Sequence, residues 1–416
     1  MTSWQAPLAT GPVDVSVPVP GSKSATARAL VLSALAQGPG SVAGGLRARD
    51  TSLMIAGLRA LGAHIDDSDA TRWSIHPMGT PDTPVQIDAG LAGTVMRFLP
   101  PVAALGDRPV RFHGDPAASA RPMAPLVQAL VHLGATVDAA SLPFAVTGPI
   151  TGSEAQIDSS GSSQFVSGLL LAAARFPSGL RLTHRGGPIP SLPHIDMTCA
   201  ALAARGVDVE RDVDVWCVAP GPIDALDEVI EPDLTTAAVF LAIALVAGGS
   251  VTVPGWPTST TQPGARITQI LEQMGAVVVR HGDQMTVSGT GTWDGVDIDL
   301  HDTSELTPVV AALAALAGSP TTIRGVAHIR GHETDRLAAL SSQITALGGD
   351  CRETPDGLVI RPRPLRGGVF HTFADHRMAH AGALIGARVP GVILDDVDCT
   401  SKTMPGFASV WERIVR

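Results

Sequence analysis

The strongest constraint on this chain is a long internal period. A helix-like apolar stretch followed by glycine and then a strand-like run occurs at Gly62, Gly134, Gly206, Gly275 and Gly348, in steps of 72, 72, 69 and 73 residues. A fixed step of that length marks repeated supersecondary units. Glycine suits the left-handed position that closes a helix. Two short strand-like runs around a polar turn follow each glycine, for example residues 276–280 and 284–288 around His281-Gly282-Asp283. Five unrelated helix ends at chance spacing is the weaker alternative, because four nearly equal steps would then be coincidence.

One more step from Gly348 reaches the chain end, where residues 405–416 read as a helix with no strands after it. The run Val13-Asp14-Val15-Ser16-Val17 reads as a strand with no helix before it. These observations imply six units, with the N-terminus supplying strands that the sixth lacks. Two lobes of three units each follow, with crossings near residues 18–20 and 229–233. The expected division is residues 1–18 plus 230–416 for the lobe with both termini, and 19–229 for the other.

Composition narrows the function. Net charge is −10 with no basic run, against general nucleic-acid or anionic-membrane binding. The longest apolar run, residues 237–247, is short of the roughly 20 residues that a spanning helix needs and reads as a buried core helix. The start lacks the basic and apolar regions of a signal peptide. Cys199, Cys217, Cys351 and Cys399 form no Cys-x-x-Cys pair, so neither a zinc knuckle nor a disulfide framework is signalled. A cytoplasmic protein is expected. Only two residues are lysine, Lys23 and Lys402.

Cations recur at expected helix starts. Pro20-Gly21-Ser22-Lys23-Ser24 precedes a helical pattern over residues 25–36, with Arg28 four residues after Ser24 on the same face. Ala92-Gly93-Thr94 opens a helix carrying Arg97, and Arg121-Pro122 opens one over residues 123–133. Ser160-Gly161-Ser162-Ser163-Gln164 and Ser191-Leu192-Pro193-His194 open two more. Further along, Ser304-Glu305, His332-Glu333-Thr334-Asp335-Arg336 and Asp375-His376-Arg377 start helices, and Ser401-Lys402-Thr403 precedes the last. Serine and aspartate are ordinary caps. Lysine and arginine in a first turn oppose the helix dipole, and a bound anion would offset that. The pattern predicts a cleft between the lobes in which Lys23, Arg28, Arg121, Arg336, Arg377 and Lys402 meet a polyanionic small molecule. Glu305 and Glu333 lie among them as candidate acid/base groups.

In order, these motifs resemble the 5-enolpyruvylshikimate-3-phosphate synthase family. The resemblance rests on Pro20-Gly21-Ser22-Lys23-Ser24 with Arg28, Leu91-Ala92-Gly93-Thr94-Val95-Met96-Arg97, Ser162-Ser163-Gln164-Phe165, Glu333-Thr334-Asp335-Arg336, Asp375-His376-Arg377-Met378-Ala379, and Lys402 before Thr403-Met404-Pro405. It implies an α/β (α+β) fold, the inside-out α/β barrel of the enolpyruvyl transferases, with two lobes of three βαβαββ units. It implies transfer of the enolpyruvyl group of phosphoenolpyruvate to the 5-hydroxyl of shikimate 3-phosphate with release of phosphate, by a monomer without metal or organic cofactor. By matching position, Lys23, Ser24, Arg28, Ser162, Ser163, Gln164, Ser191, Glu305 and His332 would hold shikimate 3-phosphate in the 19–229 lobe and its partner. Lys23, Gly93, Thr94, Arg121, Gln164, Arg336, Arg377 and Lys402 would hold phosphoenolpyruvate. Glu305, Glu333, Lys23 and Lys402 would be catalytic. Glu305 stands where the family usually has an aspartate that takes the hydroxyl proton, and Glu333 matches the glutamate that exchanges a proton with the methylene carbon. Gly93 leaves the phosphoenolpyruvate pocket wide, which implies sensitivity to glyphosate.

The chain departs from the family at His332, where lysine is common, and at His328, His194, Leu91 and Phe98. Two other activities compete. The enolpyruvyl transferase acting on UDP-N-acetylglucosamine usually has Lys-Asn in the first motif and a reactive cysteine in the loop that here reads Asp115-Pro116-Ala117-Ala118-Ser119-Ala120-Arg121-Pro122. A metal-dependent hydrolase would use His376 and His380, four residues apart, but Arg377 beside them would repel a cation. A non-catalytic binding module draws no support from a chain that retains Glu305, Glu333 and both lysines.

Overall fold

The computed structural model describes residues 2–79 and 85–416. Residue 1 and residues 80–84, one in each expected lobe, lie outside the described residues. The chain divides into two compact units, Gly21–Ile230 and a second formed by Met1–Pro20 with Glu231–Arg416.

The Gly21–Ile230 unit holds three four-stranded mixed sheets of one design. In the second, Val85–Asp88 pairs in parallel with Val110–His113, which pairs antiparallel with Phe144–Thr147, itself antiparallel to Thr136–Val137. The third repeats this with Glu154–Ile157, Leu180–His184, Val215–Val218 and Val209–Asp212. In the first sheet the leading strand comes from the end of the unit, where Asp227–Val229 pairs in parallel with Gly40–Ala43. The sheets lie outside and the helices Lys23–Leu35, Gly93–Ala103 and Gln164–Ala173 pack together inside, the inverse of an ordinary α/β barrel.

These inner helices are apolar almost all round because each touches the other two and a sheet. Small residues let them close up. A side-chain carbon on Gly168 would lie 2.1 Å from the carbonyl oxygen of Arg97, so only glycine allows the Gln164–Ala173 helix so near its neighbour. The C-terminal ends of the first two helices, through Ala34, Leu35, Val102 and Ala103, and Arg175 just past the end of the third line one cavity. Their N-termini, which carry the Lys23, Gly93 and Gln164 motifs, therefore share the opposite end of the unit.

The second unit repeats the plan. Leu234–Ala247, Thr307–Leu316 and His376–Gly386 form its buried helical centre. The first of these contains the apolar run at residues 237–247, and no helix among the described residues is long and apolar enough to cross a membrane. Two of its sheets have four strands and the last has three. Here one expectation needs correction. Val13–Ser16 does not complete the sixth unit; it pairs in parallel with Gly249–Val253 in the fourth. The sixth sheet is completed by Trp4–Gln5, antiparallel to Val392–Leu394. All five repeat glycines have positive φ, between 75° at Gly206 and 105° at Gly275, as a left-handed helix end requires.

Candidate active site

In the Gly21–Ile230 unit, Lys23 is the first residue of its helix, and Ser22 caps it by accepting from the Ala25 N–H at 3.3 Å. The Lys23 ammonium lies 3.7 Å from the buried carboxylate of Asp50. Arg28 is only 2% exposed and ties three helices together. Its guanidinium donates to Thr198 Oγ1 at 2.8 Å, the His194 carbonyl at 2.7 Å, the Ser24 carbonyl at 2.9 Å and Ser167 Oγ at 3.4 Å, over the Phe98 ring. Burial pushes its proton affinity down to about 10, against a smaller opposing effect of Cys199. Ser24 is thus held through its backbone, one turn before Arg28.

The Gly93–Ala103 helix begins without a capping side chain, since its cap is Ala92, so the N–H groups of its first turn keep their capacity for an anion. Thr94 is buried beside them. Arg97 donates to Gln164 Oε1 at 3.1 Å and to the Pro122 carbonyl at 3.3 Å, which links the first turns of two inner helices. Arg121 precedes the Ala124–His132 helix instead of sitting in its first turn. It donates to the Leu91 carbonyl at 3.1 Å, and its buried Nε has no hydrogen-bond partner among the described residues. A side-chain carbon at Gly93 would meet the guanidinium groups of Arg97 and Arg121 at 2.8 and 3.0 Å. Gly93 and these two arginines thus form one pocket wall. Ser162 Oγ accepts from the Gln164 N–H at 3.2 Å, Ser163 is buried as the helix cap, and Ser191 adopts φ of +51°. Such a backbone costs a non-glycine residue energy and persists where surrounding structure fixes it.

In the second unit, Glu305 comes from one segment and Glu333 and Arg336 from another, around the start of the Arg336–Ala346 helix. Glu305 lies in the 3-10 turn His301–Leu306 and not in the helix that follows. His332 and Glu333 precede the Arg336–Ala346 helix, which Asp335 caps. Arg336 is fully buried, and all its donors are engaged. Nε and Nη2 donate to the Asp375 carboxylate at 2.7 and 3.2 Å, Nη2 also to Glu333 at 2.9 Å, and Nη1 to Glu305 at 2.9 Å with His332 Nδ1 at 3.0 Å. The first-turn cation therefore meets its anions within the protein. Lys402, in the 3-10 turn Asp398–Lys402, donates to the other Glu333 oxygen at 2.5 Å.

Electrostatics follow from this packing. Burial alone would raise the proton affinity of Glu305, but Arg336, His332 and Arg377 hold its carboxyl well below the usual range. Arg336 is buried too, yet Asp375, Glu305 and Glu333 hold it well above the ordinary arginine value. Arg377 differs. It is buried, its Nε lies 3.7 Å from Glu305, and neither Nε nor Nη1 has a hydrogen-bond partner among the described residues. Buried unsatisfied guanidinium nitrogens are costly and point to an anion that completes them.

Asp375 was readable as a helix cap, and it does accept from the Arg377 N–H at 2.9 Å. Its second role, gripping Arg336, joins residues 39 positions apart and has no local signal. The same holds for Asp50 beside Lys23. His376 and His380 lie with ring centroids 6.0 Å apart. Burial, then Arg377 and Arg336, push His380 far below the ordinary histidine range. Among the described residues no group of three or more His, Cys, Asp and Glu is placed to hold a metal ion.

Two solved structures of EPSP synthase from Acinetobacter baumannii superpose with TM-scores of 0.82 and 0.80, each at 23% identity and covering 99% of this chain and 98% of that one. At that identity they establish the fold. The family described as EPSP synthase (3-phosphoshikimate 1-carboxyvinyltransferase) matches residues 8–411. The chain belongs to the EPSP synthase family and transfers the enolpyruvyl group of phosphoenolpyruvate to shikimate 3-phosphate.

Proposed function

We propose a division of labour among the residues of both units in this transfer. Lys23, Ser24, Arg28, Ser162, Ser163, Gln164, Ser191, Glu305 and His332 hold shikimate 3-phosphate. Lys23, the first turn at Gly93 and Thr94, Arg121, Gln164, Arg336, Arg377 and Lys402 hold phosphoenolpyruvate. The observation that carries this reading is the set of buried guanidinium nitrogens on Arg121 and Arg377 without a hydrogen-bond partner among the described residues. Each substrate carries a carboxylate and a phosphate, so bringing the two together is strongly repulsive. Fixed cations and uncapped helix starts relieve that repulsion without reorganising.

Proton transfer falls to the two glutamates. Glu333 delivers a proton to the methylene carbon of phosphoenolpyruvate, and the adjacent carbon gains cationic character. The 5-hydroxyl oxygen attacks that carbon while its proton passes to Glu305, giving a tetrahedral intermediate. A methyl proton then returns to Glu333 as the phosphate leaves with the C–O bonding pair. Lys402 at 2.5 Å supports Glu333 in both states, as donor to the carboxylate and as a nearby proton source. An anion on Arg336 must displace a protein carboxylate, because its donors are all engaged. Displacing Glu305 removes a charge that suppresses its basicity, so substrate arrival prepares the base. Holding both reactants in place contributes up to about 7–11 kcal/mol in favourable cases.

The protein works as a monomer in the cytoplasm on this reading; its four cysteines are free, as a reducing compartment maintains them. Phosphate release from phosphoenolpyruvate plus shikimate 3-phosphate tests the assignment. Lys23→Met and Lys402→Met should each reduce it sharply while the fold is kept. Full activity in either variant would remove that lysine from the machinery, and sedimentation as a dimer would remove the monomer.

A further inference from the structure

The Nδ1 atom of His332 faces two groups that make opposite demands. Arg336 Nη1, at 3.0 Å, can only donate a hydrogen bond. Glu305 Oε1, at 3.4 Å, can only accept one while ionised. Without a proton, Nδ1 accepts from Arg336 and turns its lone pair toward the carboxylate. With a proton, it donates to Glu305 and presents a hydrogen to the guanidinium. One proton therefore decides which partner the imidazole holds.

The surrounding groups leave that choice to His332. From the 3-10 turn Ala327–Gly331, the His328 ring meets His332 edge-on at 5.9 Å, and burial followed by His332 and His301 pushes His328 down to about 3, so it stays neutral. His301 stands behind it at 5.7 Å, with Nδ1 3.2 Å from the Gly325 carbonyl. Arg330 is turned to Asp335 and Glu353. On the far side of Glu305 lies Arg377 at 3.7 Å. Glu333 with Lys402, and Asp375, occupy the other faces of Arg336.

We propose that His332 is a positioning residue that sets the basicity of Glu305 through its own protonation. The inference rests on the reading of Glu305 as acceptor of the 5-hydroxyl proton. Protonated His332 adds a further cation to Glu305, beside Arg336 and Arg377, and donates to Oε1; the carboxylate then binds a proton poorly. Neutral His332, in the Nε2–H tautomer that the Arg336 donor selects, accepts from Arg336; Oε1 loses its donor, and Glu305 becomes the stronger base. The transfer rate rises with pH as one imidazole loses its proton.

Single-turnover phosphate release, measured from about pH 5.5 to 8.5 across the histidine range, is the first test. The wild type should show a rising limb of one proton. His332→Asn should flatten that limb, and His332→Lys should be flat and about tenfold slower than wild type at the alkaline end, the equivalent of one unit of lost basicity. A limb with unchanged midpoint in His332→Asn overturns the proposal. Imidazole NMR on nitrogen-15-labelled protein is the second test and needs no turnover. Glu305→Gln should lower the His332 titration midpoint by about one unit, since it removes an adjacent negative charge. An unmoved midpoint also overturns the proposal. A wild type that releases no phosphate defeats the assignment of Glu305 as base, whereas the NMR result still reports whether the two side chains are coupled.

Discussion

Replacing Gly93 with alanine should weaken phosphoenolpyruvate selectively. The new methyl carbon would lie 2.8 Å from Arg97 Nη1 and 3.0 and 3.1 Å from the two terminal nitrogens of Arg121, where ordinary contact begins at 3.4 Å. Something must give, and the anchoring decides which. Arg97 is held by Gln164 and the Pro122 carbonyl and stacked on the Phe165 ring at 5.4 Å. Arg121 is held by the Leu91 carbonyl alone among the hydrogen bonds described. The Arg97 contact at 2.8 Å forces a small shift there, and the less tethered Arg121 yields by about 0.5 Å. For a guanidinium about 3 Å from a bound anion, at an effective dielectric constant of about 20, that retreat costs about 0.8 kcal/mol, or about fourfold in affinity. Should the shift of Arg97 break its bond to Gln164, the loss grows toward about tenfold.

Stability should move the other way. Gly93 does not have positive φ, so alanine fits its backbone. Alanine favours helix over glycine by up to about 1 kcal/mol. The assay is steady-state phosphate release with each substrate varied in turn, beside a thermal melt. The expected result is a KM for phosphoenolpyruvate raised about four- to tenfold, a nearly unchanged KM for shikimate 3-phosphate, and a Tm no lower than wild type. An unchanged KM for phosphoenolpyruvate, or equal rises for both substrates, would refute the pocket geometry.

Asp375→Ala should cost about 3–5 kcal/mol in urea unfolding, because it strips two hydrogen bonds from the fully buried Arg336 and leaves that charge undercompensated; a loss under 1 kcal/mol would show that Glu305 and Glu333 suffice. His380 is buried, neither ring nitrogen is hydrogen-bonded among the described residues, and its proton affinity is depressed, so below about pH 6.5 the unfolded chain takes up a proton that the folded chain refuses. Stability should fall with acidity there, and His380→Leu should flatten that dependence in melts between about pH 5 and 7; parallel curves for the two proteins would contradict it. With phosphoenolpyruvate limiting, millimolar glyphosate should slow the wild type, and an unchanged rate would refute the open pocket at Gly93.

Much of the fold was legible because its signals are local. Each repeat ends its helix on a glycine that the backbone drives to positive φ, and that demand is visible in the residue itself. Strand neighbours were less legible. Val13–Ser16 alternates correctly for a strand, but alternation reports faces and not partners, and the strand joins Gly249–Val253 in the fourth unit and not the sixth. The site divides along the same line. Lys23, Gly93, Gln164 and Arg377 stand at helix starts, and the packing of three inner helices gathers those starts at one end of each unit. Which charges pair could not be read, because the partners of Arg336 come from turns as far apart as Glu305 and Asp375.

That hidden pairing changes the meaning of the first-turn cations. A cation against a helix dipole calls for an anion, and at Arg377 the orphaned nitrogens leave that demand open. At Arg336 the protein answers it with Asp375, Glu305 and Glu333. Counted with Lys402 and Arg377, this half-site sets three carboxylates against three fixed cations and is close to neutral before any substrate binds. Two dianionic or more highly charged substrates would leave it strongly negative. Lys23, Arg28 and Arg121 are proposed to meet part of that charge, and proton uptake by carboxylates of this half-site would offset more of it. Glu305 and Glu333 are the members with solvent exposure, at 29% and 9%, whereas Asp375 has none and stays locked. On the proposed roles of Glu305 and Glu333, substrate charge would act directly on the two groups that exchange protons, through their shared pairing with Arg336.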